Sequence, residues 1–355
     1  MEMNAVSSHF YLKRTFLALT SCCEYTWEDL RTIRPVELLS ELEGLHAKCI
    51  KFRGISVAMR VALLVALLLL PVDAVEIIAH RGASGYLPEH TLEAYAAAYF
   101  MGSDYIEQDL VMTKDGVPIC LHDIFLEPTT NVEELFPGRK REDGHWYAAD
   151  FTLKEVKKLR VHERTVNGKP AFQGRFPYGI SEFEVPTFEE AIELIQGLNS
   201  SAHRDVGIYP ELKRPAWHSA NGLPMEEKVL EILKKYGYTG KESKVYVQCF
   251  EDEALQRIRA MSGLKLVRLM GLEDGMVNEM KIQSIAEYAD AIGVQKELLD
   301  VRPEIAGLAH KHGLKVHVWT FRYESDEEMK RFVGRYGADG VFTDFPDRAY
   351  YALRI

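Results

Sequence analysis

Short apolar runs alternate with amphipathic, helix-like segments along residues 76–353. Runs that end at a polar residue predict buried strands, and apolar positions at helical spacing between them predict helices. Strict alternation of strand and helix is typical of a parallel sheet. The predicted strands are Glu76–Ala79, Tyr105–Val111, Pro118–His122, Gly207–Leu212, Lys244–Cys249, Lys265–Leu269, Ala291–Val294, Leu314–Trp319 and Gly340–Thr343. The predicted helices are Thr91–Met101, Phe188–Gln196, Met225–Tyr236, Asp252–Met261, Ile282–Ala289, Arg302–Lys311, Asp326–Tyr336 and Pro346–Leu353.

This rhythm of about eight strand–helix units predicts an α/β fold, a TIM (β/α)8 barrel, with a doubly wound open sheet as the alternative. No G-x-G-x-x-G follows the first strand, so a dinucleotide-binding sheet has little support. Residues 124–187 break the rhythm and are rich in aromatic, glycine, proline and charged residues. We expect an insertion after the second strand, lying either over the mouth of the barrel or as a surface loop.

A second hydrophobic pattern, at residues 59–74, is that of a secretory signal peptide. Met59-Arg60 precedes an apolar run that ends at Leu70, and small residues at positions 72 and 74 predict cleavage after Ala74. The run is shorter than the roughly 20 residues that span a bilayer.

We therefore expect translation to start at Met59 and residues 1–58 to be a non-native extension. The alternatives are a genuine cytoplasmic arm before a signal anchor, or a buried apolar helix. Cleavage would leave the domain at residues 75–355 in the periplasm or outside the cell, without a stable membrane anchor.

Composition narrows the class of protein. The 355 residues are 47% hydrophobic and 27% charged, as in globular proteins, and the net charge of −10 argues against nucleic acid as the main partner. No C-x-x-C pair occurs among the five cysteines, so neither a zinc knuckle nor a redox motif is indicated. The sequence contains neither a G-x-S-x-G elbow nor a phosphate-binding P-loop.

Polar side chains gather at the carboxyl ends of the predicted strands. Glu107 and Asp109 are two residues apart and so face the same side, as do Glu211 and Lys213. In a barrel these strand ends meet at one mouth. Three carboxylates without a cation would raise each other's pKa, and ligands that are all oxygen favour Ca²⁺ or Mg²⁺ over zinc. The sequence thus predicts Glu107, Asp109 and Glu211 as metal ligands.

Acid–base chemistry is predicted at two histidines. His80 and His122 each end an apolar run beside a charged residue, and imidazole titrates near neutral pH. Arg81 and Lys213 supply the positive charge that a phosphate group needs.

Several other residues near the strand ends have two possible roles. Asp123 either orients His122 or caps the next turn, and Glu89 either positions the loop after the first strand or caps its helix. Asp344 ends the last strand, and a barrel would bring it to the same mouth as a possible supporting residue. Aromatic side chains that either line a substrate pocket or pack in the core are Phe250, Trp319 and Phe321.

Taken together, these motifs resemble those of the glycerophosphodiester phosphodiesterases, and most strongly the periplasmic bacterial type. The similarity runs from about residue 76 to the end and includes Gly174-Arg-Phe-Pro177 within the insertion. The motifs that carry it are His80-Arg81-Gly82, Pro88-Glu89-His90-Thr91, Glu107-Gln-Asp109, Leu121-His122-Asp123, Tyr209-Pro-Glu211-Leu-Lys213, Gln248-Cys-Phe250 and Phe342-Thr-Asp344.

The resemblance implies a TIM barrel with one divalent cation, usually calcium in the periplasmic type, with magnesium as the alternative. It implies hydrolysis of glycerophosphodiesters such as glycerophosphocholine and glycerophosphoethanolamine to sn-glycerol 3-phosphate and an alcohol. His80 and His122 would be the general acid and base. Arg81, Lys213, Gln248, Phe250 and Trp319 would contact the substrate. Glu89 matches the acid of the family's P-E-N-T motif, in which His90 here replaces asparagine.

Several alternatives stay open at this point. The attacking group is either the glycerol 2-hydroxyl, which would give a cyclic phosphate, or water. A phospholipase D-like enzyme for lysolipids and a non-catalytic binding protein are competing functions. The sequence fixes neither the headgroup nor the oligomeric state, for which a homodimer is one option.

Overall fold

The computed structural model describes residues 75–180, 182–275, 277–323 and 325–354. The predicted extension at residues 1–58 and the signal peptide at 59–74 lie outside these residues and stay predictions. Among the described residues, no helix is both long enough and apolar enough to cross a membrane.

Eleven strands form among these residues. They are β1 Glu76–Ala79, β2 Tyr105–Met112, β3 Pro118–Cys120, β4 Thr165–Val166, β5 Lys169–Pro170, β6 Gly207–Leu212, β7 Tyr246–Cys249, β8 Lys265–Met270, β9 Ala291–Gln295, β10 Lys315–Phe321 and β11 Gly340–Thr343. Eight of them form a closed parallel ring in the order β1, β2, β6, β7, β8, β9, β10, β11, which ends where β11 pairs with β1. This closure confirms the TIM barrel and excludes the open sheet.

Helices follow the barrel strands and cover the barrel. They are α1 Leu92–Phe100, α2 Val132–Leu135, α3 Leu153–Val156, α4 Phe188–Ala202, α5 Pro215–Ala220, α6 Glu226–Lys235, α7 Asp252–Met261, α8 Glu279–Ala286, α9 Lys296–Val301, α10 Glu304–Lys311, α11 Asp326–Tyr336 and α12 Pro346–Arg354. Three 3₁₀ turns occur at Pro137–Arg139, Ala148–Asp150 and Leu272–Asp274.

The alternation of side chains along each strand divides the core into two parts. Ile77 and Ile106 face outward and pack under the helices, whereas their neighbours Ile78 and Tyr105 point into the barrel. The interior is filled by large aromatic rings, among them Tyr209, Tyr246 and Phe342. The interior of the barrel is therefore a packed core, and we expect a functional site at one of its ends.

The insertion predicted at residues 124–187 follows β2 and the antiparallel strand β3, which pairs with β2. It contains α2, α3, two 3₁₀ turns and the β4–β5 hairpin. Its apolar side chains, including Leu126, Trp146 and Phe151, form a cluster of their own with Val111 of β2 and Ile119 of β3. The insertion is thus a packed layer that lies against β2 and β3.

Candidate active site

The carboxyl ends of five barrel strands place the predicted site residues together. His80 and Arg81 follow β1, Glu107 and Asp109 lie in β2, and Glu211 lies near the end of β6. Gln248 is in β7 and Asp344 directly follows β11. All seven side chains are buried.

The three predicted metal ligands form one cluster. Glu107, Asp109 and Glu211 each offer an oxygen atom, and these atoms all lie within 4.8 Å of one another. Burial and the charge of Asp109 raise the pKa of Glu107 well above its usual range. Burial raises the pKa of Glu211 to about 8, although Lys213 opposes the shift. Burial and mutual repulsion therefore disfavour the charged forms of Glu107 and Glu211, and a bound cation would oppose both shifts.

Unpaired oxygen atoms show that this cluster fits a hard cation. Among the described residues, Asp109 Oδ1 and Gln248 Oε1 are buried and find no hydrogen-bond donor. The Gln248 amide donates instead to Glu107 Oε1 at 2.7 Å. Buried polar atoms without partners are costly, and an oxygen-coordinated divalent cation would satisfy them.

Each predicted catalytic histidine is paired with an aspartate. His80 Nδ1 lies 2.5 Å from Asp344 Oδ1, and His122 Nδ1 lies 2.9 Å from Asp123 Oδ1. A carboxylate accepts, so Nδ1 carries the proton in both rings. The free Nε2 of His80 lies 3.9 Å from Glu107 Oε2, on the side of the acidic cluster.

Burial and Arg81 lower the pKa of both histidines, to about 4 for His80 and about 3 for His122, where Lys213 adds to the shift. Both imidazoles are neutral at pH 7 as a result. A nearby phosphate anion would oppose these shifts.

The two predicted phosphate ligands lie against the acidic cluster. Lys213 Nζ is 2.7 Å from Glu211 Oε1, and Arg81 Nη1 is 3.0 Å from Glu89 Oε1. Arg81 Nε approaches Asp109 Oδ2 at 3.4 Å but makes no hydrogen bond among the described residues. The guanidinium thus keeps a donor available close to the acidic cluster.

His90, which replaces the asparagine of the family motif, holds a metal-ligand candidate in place. Its Nε2 is 2.8 Å from Asp109 Oδ2 and its Nδ1 is 2.9 Å from the Tyr95 hydroxyl. Because Lys213 and His90 outweigh burial, the pKa of Asp109 is well below its usual range. The departure from P-E-N-T was the only sequence signal for this contact.

Two of the three aromatic candidates meet, and the third does not. Phe250 and Trp319 pack edge to face with ring centroids 5.8 Å apart. Phe321 packs against Phe332 of α11 in the outer core and is 1% exposed. The register of β10 with β11 shifts between Val318 and Phe321, which breaks the two-residue alternation. The pocket reading of Phe321 is therefore wrong.

Two arginines that the sequence reasoning missed reach the site from the insertion. Arg164 Nη1 lies 2.6 Å from Asp123 Oδ2, and its other nitrogens bind both oxygens of Glu89. Arg175 Nη2 lies 2.5 Å from Asp344 Oδ2. The motif Gly174-Arg-Phe-Pro177 was a signal for Arg175, but nothing in the sequence assigned it a partner.

One mouth of the closed parallel barrel thus holds an acidic cluster, two His–Asp pairs and the positively charged side chains of Arg81 and Lys213. This combination defines a TIM-barrel enzyme equipped for an anionic ester. Residues 80–348 match the sequence model of the glycerophosphoryl diester phosphodiesterase family. The chain belongs to that family.

Individual relatives agree. The chain is 40% identical to a glycerophosphodiester phosphodiesterase of Haemophilus influenzae, over 78% of this chain and 89% of the relative. It is 32% identical to a Treponema pallidum protein of the same name, over 76% and 89%. A crystal structure of a glycerophosphoryl diester phosphodiesterase from Silicibacter pomeroyi superposes with a TM-score of 0.65, at 28% identity, and covers 79% of this chain and 93% of that one.

Proposed function

We propose that this protein hydrolyses glycerophosphodiesters, such as glycerophosphocholine and glycerophosphoethanolamine, to sn-glycerol 3-phosphate and an alcohol. The observation that carries the proposal is the acidic cluster lying beside two aspartate-held histidines at the mouth of a barrel. The named activity of the Haemophilus and Treponema relatives supports the same reaction.

Residues of the chain divide the work of binding. Glu107, Asp109 and Glu211 would hold a divalent cation, which neutralises charge on the phosphate when bound. Arg81 and Lys213 donate to phosphate oxygens and stabilise the charge that develops there. Phe250 and Trp319, whose rings meet edge to face, would give the substrate an apolar wall.

The two histidines move the protons. One imidazole takes the proton of the attacking hydroxyl, from the glycerol 2-position or from water, as the oxygen–phosphorus bond forms. The other, which carries a second proton on Nε2 when the phosphate anion is bound beside it, gives that proton to the leaving alcohol as the phosphorus–oxygen bond breaks. Where the glycerol 2-hydroxyl is the attacking group, water then opens the cyclic phosphate with the roles of the two histidines reversed. Asp344 and Asp123 keep each Nδ1 protonated, which leaves Nε2 for the transfer.

The test is an assay of the purified protein with glycerophosphocholine. We expect release of sn-glycerol 3-phosphate and choline with added calcium, and loss of both products with excess EDTA. Product from lysophosphatidylcholine alone would favour the lysolipid reading. Thermal stabilisation by sn-glycerol 3-phosphate without turnover would favour a binding protein.

Calcium is the cation that we propose for the cluster. The donor set is entirely oxygen, which suits Ca²⁺ and Mg²⁺ and disfavours zinc. Titration calorimetry of EDTA-treated protein should show tighter binding of Ca²⁺ than of Mg²⁺. A preference for Zn²⁺ would contradict the assignment.

We also propose that the protein is periplasmic or secreted, on the basis of the signal-peptide pattern at residues 59–74. N-terminal sequencing of the exported protein should give Val75 as the first residue. An exported or cell-bound protein that still begins upstream of Met59 would contradict both the start site and the cleavage.

A further inference from the structure

Both His–Asp pairs of the site are completed by an arginine from one stretch of the insertion. Asp123 turns Oδ1 to His122 and Oδ2 to Arg164, and Asp344 turns Oδ1 to His80 and Oδ2 to Arg175. In both pairs one carboxylate oxygen faces the imidazole and the other faces a guanidinium. The same hydrogen-bonded series of histidine, aspartate and arginine therefore occurs twice at one mouth.

All three guanidinium nitrogens of Arg164 donate to carboxylates. Its Nε and Nη2 bind the two oxygens of Glu89 at 2.8 and 2.7 Å, and its Nη1 binds Asp123 at 2.6 Å. Glu89 in turn accepts from Arg81 at 3.0 Å. Because a guanidinium is planar and its donors are rigidly spaced, this fork sets the orientation of both carboxylates.

Arg175 is buried more deeply, with 4% of its side chain exposed. Its Nη1 donates to the carbonyl of Ser84 at 3.1 Å, and its guanidinium lies 3.9 Å above the ring of Phe172. The Ser84 hydroxyl donates to the carbonyl of His80 at 2.8 Å. Arg175 thus holds both the partner of His80 and the loop on which His80 lies.

A carboxylate held at one oxygen only can rotate and take its imidazole with it, whereas one held at both oxygens cannot. Residues outside the direct contacts of a reactive histidine set its orientation in this way. Asp344 Oδ2 also accepts from Arg322, but at 3.3 Å, a longer contact than the 2.5 Å one to Arg175. In the part of the chain that the structure describes, only the insertion supplies an arginine to both pairs.

We infer that Arg164 and Arg175 are positioning residues that hold His122 and His80 through Asp123 and Asp344, so that the insertion completes the acid–base apparatus. The inference rests on the proposed function, in which these histidines move protons.

Double-mutant cycles test it with glycerophosphocholine as substrate. Arg175→Ala should lower kcat roughly 10- to 100-fold with little change in KM. In an Asp344→Asn background the same change should have no further effect, whereas in an Asp123→Asn background it should still lower kcat. Arg164→Ala should still lower kcat in the Asp344→Asn background and should cause no further fall in kcat in the Asp123→Asn background. Its bonds to Glu89, which holds Arg81, should raise KM in either background.

Arg141→Ala is the matched control, because Arg141 also lies in the insertion, binds Asp150 through two nitrogens at 2.7 and 2.8 Å and covers the ring of Tyr147 at 3.9 Å. It should leave kcat unchanged. An equal loss for Arg175→Ala in both backgrounds, no loss in either, or a change in KM alone would overturn the inference. If an alanine variant does not fold, the lysine variant is measured in the same cycle, with a smaller loss expected.

A second readout does not depend on turnover. The proton on His80 Nδ1 should give a low-field NMR signal that Arg175→Ala broadens or shifts and Arg141→Ala does not. An unaltered signal in Arg175→Ala would overturn the inference even if activity fell. Conversely, if Arg175→Ala alters the His80 signal but the wild-type protein releases no product, the proposed function fails and the positioning role of Arg175 stands.

Discussion

At the scale of single residues, the two histidines are the sharpest test of the site. His80→Ala and His122→Ala should each lower kcat by roughly 10²- to 10⁴-fold, because each removes a proton-transfer group. Steady-state assays with glycerophosphocholine measure the loss, and circular dichroism checks the fold.

His310→Ala is the control for both histidine variants. Its ring also bonds an aspartate, with Nε2 2.8 Å from Asp339 Oδ2, but at an exposed position of helix α10. It should keep wild-type turnover. Full activity in both site variants would remove the acid–base assignment.

The acidic cluster makes a prediction about cation affinity that does not depend on turnover. Glu211→Gln replaces one of three carboxylates within 4.8 Å of one another and should weaken calcium binding roughly 10-fold or more, since it removes a charged ligand from the set. Titration calorimetry measures the dissociation constant. Glu253→Gln, an exposed position on α7, should bind calcium as the wild type does.

At the scale of elements, the turn after β1 depends on a glycine. Gly82 has φ +85°, and a Cβ there would lie 2.9 Å from the backbone of Ala94 in α1. Gly82→Ala should cost about 3 kcal/mol, from the left-handed backbone together with the clash. Urea unfolding measures the loss.

Gly116→Ala separates the two contributions. Gly116 has φ +75°, but a Cβ there meets nothing within 4 Å. Only the backbone term remains, about 1 kcal/mol. Equal losses at the two positions would show that the contact with Ala94 contributes nothing.

The barrel strands and their helices were predictable because burial imposes a pattern on each of them. The strands Glu76–Ala79, Gly207–Leu212 and Gly340–Thr343 lie where the apolar runs predicted them. The short helices Pro215–Ala220 and Lys296–Val301 were missed, since six residues are too few to show helical periodicity. The elements of the insertion were missed for the same reason.

The site was predictable to the extent that it lies at strand ends. Parallel strands carry Glu107, Asp109 and Glu211 to one mouth by topology alone, so their spacing sufficed. Arg164 and Arg175 reach the site through the path of an irregular segment, which no periodicity encodes. Their partners could be found only from coordinates.

At the scale of the whole molecule, a charged network lies at the amino end of the barrel, at the opposite end from the candidate active site. Glu76 lies 3.2 Å from both Lys315 and His317 at the starts of strands β1 and β10. Although burial raises it, contacts with His317 and Lys315 lower the pKa of Glu76 to about 2. Because the pKa of Glu76 is lower in the folded protein, folding releases a proton between about pH 2 and pH 4.5.

Glu76 should therefore stabilise the fold above about pH 4.5, and this stabilisation should disappear as the pH falls toward 2. From the shift, its size is at most about 3 kcal/mol. Urea unfolding of the wild type and Glu76→Gln at pH 6 and pH 3 should give a smaller difference at pH 3. A difference that grows on acidification would contradict the sign.

The pair of His80 and Asp344 joins the first barrel strand to the last, across 264 positions of the chain. Synthesis proceeds from the amino end, so a nascent polypeptide contains all three clustered carboxylates by residue 211, long before β11 exists. His80 acquires its aspartate only when the final strand docks against the first. A product that ends before residue 344 lacks that partner. Its metal-ligand candidates are all present, but its histidine is not held, so we expect activity only from a chain that includes the last strand and Asp344.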